Sequence, residues 1–97
     1  MAKGYLVVTY RAINDQEKWS AYAKLAGPAI QKAGGRFIVR GMPSKTYEKG
    51  MNQRVVIVEF DSVQKAGEAH ESPAYQEALR ALADGADRDM RLVEGLA

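Results

Sequence analysis

Ninety-seven residues with fourteen basic and twelve acidic side chains, a net charge of +2 and no cysteine describe one small domain over 1–97. The missing thiols exclude disulfides, cysteine nucleophiles and cysteine-ligated metal, and the scattered charges offer no concentrated basic face for nucleic acid or an anionic membrane. No stretch approaches a membrane span, and MAKGYLVVTYRA at the N-terminus lacks the apolar core and cleavage site of a signal peptide, so a soluble cytoplasmic protein is expected.

In chain order, GYLVVTYRA (4–12) is β-branched and aromatic and reads as a strand. Asn14 followed by Glu17 is a capping box that opens a helix. Trp19, Tyr22, Ala23, Ala26, Ile30 and Ala33 then recur at helical spacing as one apolar stripe. Gly27-Pro28 is expected to kink or briefly break this helix, because Pro28 has no amide hydrogen to donate. Gly34-Gly35 ends it.

RFIVRGM (36–42) is the second strand and RVVIVEF (54–60) the third, with a turn signal at Lys49-Gly50 between them. Asp61-Ser62 opens another helix, whose Val63, Ala66 and His70 share a face. Ser72 and Pro73 restart it as N-cap and first helical residue, a capping role only. Tyr75, Ala78, Leu79 and Leu82 continue the stripe, and MRLVEG (90–95) is a short last strand.

The resulting β-α-β-β-α-β order predicts an α+β, ferredoxin-like fold, a four-stranded antiparallel sheet with two helices on one face. Both faces of YLVV and VVIV are apolar, and no spare element remains to cover the second. A second copy packed sheet to sheet, in a symmetric homodimer, is the expected cover.

GYLVV, GGRFIVRG, RVVIVEF, ESPAYQEA and RLVEG, in that order, resemble the domain of unknown function 1330 family, and the resemblance spans nearly the whole chain. It implies a protomer of the dimeric α+β barrel group, and it implies no activity. Relatives in the wider group bind small, often aromatic or oxidisable molecules between sheet and helices, an analogy of fold alone. The chain departs from the family pattern at Asp61, His70, Ala74 and Ala83, where proline, an aromatic, glutamate and arginine are frequent.

Most chemistries are excluded by the residues. There is no phosphate-binding glycine loop, no nucleophile elbow and no histidine-rich ligand set, so neither a cofactor nor a metal is expected. RNA-recognition domains share the element order but need aromatics on the third strand, where RVVIV supplies aliphatics. What remains is a small-molecule pocket between sheet and helices. Tyr22 and Tyr75 would line it with polar tips, Trp19 would pack beside them, Arg40 would add charge, and Tyr10 and Arg54 would lie at its rim.

His70, the one histidine, is the candidate acid/base for proton transfer or cofactor-independent oxidation; the alternative is a half-buried residue bonded at the helix break. Glu59 is a second candidate if burial raises its pKa, against an ion pair with Arg40, which a two-residue turn at Lys49-Gly50 would place opposite. A non-catalytic, metabolite-sensing module is the alternative to an enzyme.

Overall fold

Alternation along the strands decides which residues meet the helices. In a computed structural model that describes residues 2–96, β1 (Gly4–Ile13) buries Leu6, Val8 and Tyr10 on one side and turns Tyr5, Val7 and Thr9 to the other. The helix α1 (Gln16–Lys32) follows, then β2 (Arg36–Gly41), β3 (Val55–Phe60), α2 (Val63–Glu71), α3 (Pro73–Leu82) and β4 (Ala86–Glu94). The strands lie in the order β2-β3-β1-β4, every neighbouring pair antiparallel, which is the expected ferredoxin-like sheet.

The caps explain where the helices start. Asp15, not Asn14, caps α1: its carboxylate accepts the Lys18 amide at 3.1 Å. Asn14 is instead tied to the next corner, its amide donating to the Gly85 carbonyl at 2.7 Å. Ser62 and Ser72 cap α2 and α3, and Pro73 occupies the first turn of α3 as the sequence predicts.

Pro28 does not break α1, which runs as one element through residue 32. Pro28 and Lys24 are both exposed, so water can serve the Lys24 carbonyl that proline leaves without a donor. Gly34 takes φ 96° at the helix end, and a Cβ on Gly35 would fall 2.8 Å from Cζ of Phe60. That close approach lets Phe60, fully buried, fill the core with Val58, Ile30, Tyr75 and Leu82. Alanines at 26, 66, 69 and 78 are buried among them, and their small side chains let helices and sheet pack closely.

Two expectations about the β2–β3 pair are corrected. Residues 42–54 separate the strands, so Lys49-Gly50 closes only a local turn, with the Gly50 amide donating to Tyr47 at 2.9 Å. The register then shifts at a bulge between Phe37 and Val39, and Arg40 faces Val56 while Arg36 faces Glu59. The ion pair of Glu59 is therefore with Arg36 (3.1 Å), not Arg40. The last strand is also longer than expected: β4 starts at Ala86, and this brings Arg88 opposite Tyr10.

Glu59 lies on the sheet face away from the helices. Tyr5 Oη donates to it at 3.0 Å and Arg36 Nε at 3.1 Å. These two donors, the Tyr5 phenol foremost, hold its carboxyl below the usual carboxylate range, the reverse of the rise that burial would bring. A depressed folded-state pKa stabilises the fold above the unfolded value and loses that contribution as pH falls through the folded one. Acid titration of unfolding should thus be less steep below about pH 4 in Glu59→Gln than in the parent; equal steepness would contradict this.

The remainder of that open face is apolar. Val7 pairs with Ile57 at its centre, Val55 and Val39 flank them, and Val93 is 46% exposed. The molecule measures 36 × 34 × 15 Å, the thickness of one sheet and one helix layer, so nothing among the described residues covers this face.

Candidate functional site

The opposite face of the sheet carries a cleft under α1. It lies beside Tyr10 in the second half of β1 and Arg88 near the start of β4, where β2 and β3 meet the intervening loop at Arg40 and Arg54. Its free interior is about 70 Å³, and about 560 Å³ with the open mouth included. The interior measure corresponds to roughly five water molecules, the size of a compact ligand rather than an extended one.

Helical spacing brings Trp19, Tyr22 and Ala23 to the cleft from one side of α1, as the apolar stripe predicts. Tyr75 reaches it from the first turn of α3, which the Ser72 cap positions. Tyr10 comes from β1 and Arg40 from β2. The structure thus brings together Tyr10, Trp19, Tyr22, Arg40 and Tyr75, the residues proposed as ligand-binding from sequence, with Arg54 beside them.

The polar groups form one connected set. Arg88 Nη1 donates to Tyr22 Oη at 2.9 Å, and Tyr22 Oη and Tyr75 Oη share a hydrogen bond of 2.8 Å. The Arg88 guanidinium also stands 4.8 Å from the Tyr22 ring centre and 5.6 Å from that of Tyr10. Trp19 Nε1 donates to Tyr10 Oη at 3.1 Å, and Arg54 lies 5.3 Å over the Trp19 ring. Arg40 stacks over Phe37 at 4.6 Å.

Burial pushes the Tyr22 phenol well above its ordinary value, with Tyr75 adding to the rise, so both its oxygen and its proton are present at neutral pH. Burial works against the Arg88 charge, but the oxygens of Tyr22 and Tyr75 outweigh it and the guanidinium stays protonated.

Arg88 is the residue the sequence reading missed, because DRDMR looks too polar to begin a strand. The signal was there in the alternation: Arg88, Met90 and Leu92 pair with Tyr10, Val8 and Leu6, the buried side of β1.

His70 and Glu59 do not line the cleft. The α2 helix crosses the other end of the sheet, where a Cβ on Gly4 would fall on the Ser62 carbonyl and Gly67 meets Leu92. His70 therefore packs its ring against Tyr75 from outside, 5.2 Å between centres, with Nδ1 3.6 Å from Glu71 Oε1. Its carbonyl accepts from Gln76 Nε2 at 2.7 Å across the α2–α3 break. Glu59 belongs to the open face with Arg36 and Tyr5.

Solved structures of the same fold exist in several bacteria. A protein of unknown function from Rhodopseudomonas palustris superposes with TM-score 0.75 at 20% identity, over 99% of this chain and 84% of that one. A dimeric ferredoxin-like protein of unknown function from Thermobifida fusca gives 0.61 at 19% identity, over 98% and 92%. A variant of SnoaB, a cofactor-independent oxygenase from Streptomyces nogalater, gives 0.58 at 15%, over 95% and 90%. At these identities the likeness establishes the fold alone. No sequence among the curated proteins matches this chain. Among the described residues no helix is long and apolar enough to cross a membrane. The sequence matches the family model described as a domain of unknown function, DUF1330, over residues 3–96, and the chain belongs to that family.

Proposed function

We propose that this domain binds a compact small organic molecule in the cleft under α1, and that it does so as a homodimer joined through its open sheet faces. The observation that carries the reading is the convergence of Tyr10, Trp19, Tyr22, Tyr75, Arg40 and Arg88 on one cleft. An apolar cavity with a few convergent polar groups is the usual form of a ligand site. The dimer rests on the uncovered apolar patch around Val7 and Ile57, and a dimeric relative of the same fold supports it.

Binding rather than turnover is favoured by the lining itself. It includes no histidine, aspartate or glutamate, so no side-chain base stands ready to take a proton. What Arg88 and the two tyrosines could add to binding is electrostatic, the stabilisation of negative charge on a ligand oxygen. That would suffice for oxygenation, by molecular oxygen as the oxidant, of a substrate that ionises by itself; the Streptomyces neighbour is named a cofactor-independent oxygenase. A metabolite-sensing module needs nothing more than the cleft and the dimer.

Native mass spectrometry of the purified protein tests both halves. The expected result is a dimer carrying extra small-molecule mass, with Ile57→Asp running as a monomer that keeps its helical circular dichroism. A monomeric, empty parent protein would overturn the proposal.

A further inference from the structure

Every described arginine except the exposed Arg80 on α3 falls into one of two groups. Arg11, Arg36 and Arg91 are paired with carboxylates on the open face or its edge. Arg40, Arg54 and Arg88 have no carboxylate partner among the described residues, and all three line the cleft. Arg40 is exposed, but Arg88 is partly buried and rests on the Tyr22 hydroxyl and the rings of Tyr10 and Tyr22 instead of a carboxylate.

The hydrogen-bond count points the same way. Tyr22 and Tyr75 bring two hydroxyl protons, and their mutual bond uses one. Arg88 donates to Tyr22, so it takes up an oxygen lone pair and no proton. Whichever phenol donates to the other, one phenolic O–H is left with no acceptor among the side-chain bonds of the described residues. Tyr75 is only 1% exposed and Tyr22 only 7%, so bulk water is a poor substitute. The cleft thus has surplus donors and surplus positive charge, and it has no acceptor of matching strength.

We infer that the ligand of this cleft is a compact apolar monocarboxylate, its carboxylate held by Arg88 and by the uncommitted proton of the Tyr22–Tyr75 pair. This rests on the reading of the cleft as a small-molecule site. The planar guanidinium fork matches a carboxylate, and four of its five N–H donors remain beyond the Tyr22 bond. Val8, Val56, Val58, Ile30 and Met90 line the remainder and suit an uncharged hydrocarbon or aromatic body. Arg40 and Arg54 flank the mouth and raise the local concentration of anions.

Calorimetric titration with benzoate, benzamide and benzyl alcohol at neutral pH and low salt tests this. The parent should bind benzoate at least about ten-fold more tightly than the two neutral probes, a difference of about 1.4 kcal/mol. Arg88→Met should lose that preference while its helical circular dichroism without ligand matches the parent's. A preference that survives in a folded Arg88→Met would make Arg88 a structural clamp and overturn the inference. Should Arg88→Met fail to fold, Arg88→Lys carries the test: it keeps the charge and loses the fork, so the preference should fall several-fold, and an unchanged preference overturns it. Neutral probes binding as well as benzoate would remove the carboxylate assignment and leave the small-molecule site standing. No binding of any of the three would remove both.

Discussion

Phe60→Ala should lower the unfolding free energy by about 3–5 kcal/mol, the range for removing a large aromatic from a tight core. Phe60 is entirely buried at the end of β3. Its ring lies so close to Gly35 that a Cβ there would come within 3 Å of two ring carbons, and Ile30 closes on the same spot. The backbone at the end of α1 is fixed by the Gly35 amide bonded to the Ile30 carbonyl at 2.9 Å, so the site can collapse little around the void. A domain of this size is stable by about 5–15 kcal/mol in total, so the substitution removes between roughly a fifth and all of it. The thermal midpoint should fall by roughly 12–40 °C, compared at one protein concentration because the proposed dimerisation would shift it. Urea unfolding monitored by circular dichroism checks this, and a loss below about 1 kcal/mol would mean that the core is not organised around this ring.

Ala23→Leu should have the opposite profile, with ligand binding lost and the fold retained. Ala23 is half-buried on the side of α1 that lines the cleft, beside Tyr22 and one turn from Gly27. Leucine is nearly as good a helix former as alanine, differing by a few tenths of a kcal/mol. Its branched end would grow into a free interior of about 70 Å³, occupying space that a ligand needs. Filling a void is far less costly than overpacking a dense core, so stability should change by less than about 1 kcal/mol. Affinity for a cleft-bound ligand should fall by about a hundred-fold or more, a loss of roughly 3 kcal/mol. An unchanged affinity would move the ligand elsewhere on the protein.

The fold was legible because its signals are local. Alternation in β1 and β3, the stripe of α1 and the Ser72-Pro73 restart each survive in the structure. The errors lie where a long-range relation decides. The partner of Glu59 depends on a bulge at Phe37 and on how residues 42–54 are spent, neither of which a turn dipeptide reveals. Asp15 rather than Asn14 caps α1, and the amides of both residues bond the Gly85 carbonyl, a corner about seventy positions away that no capping pattern reveals.

The site divides in the same way. Tyr22 and Trp19 were predictable because one helix has one buried side, and Tyr75 because its cap fixes the start of α3. His70 also has a helical phase directed inward, but phase says nothing of which end of the sheet α2 covers, and that end is not the cleft. Arg88 was hidden by its charge. Polar residues are ordinarily read as leaving a strand, yet Arg88 continues the helix-facing alternation of β4 and joins the tyrosines.

The central claim is that the cleft under α1 is where a small molecule binds. Trp19 is the protein's one tryptophan and lines that cleft, with its indole nitrogen bonded to Tyr10, so its emission reports directly on the space. The measurement is a titration of Trp19 fluorescence with benzoate, carried out on the parent protein and on Ala23→Leu. Trp19 emission should change saturably in the parent and not at all in Ala23→Leu, at matched thermal stability. The same change in both proteins, or none in the parent, would contradict it.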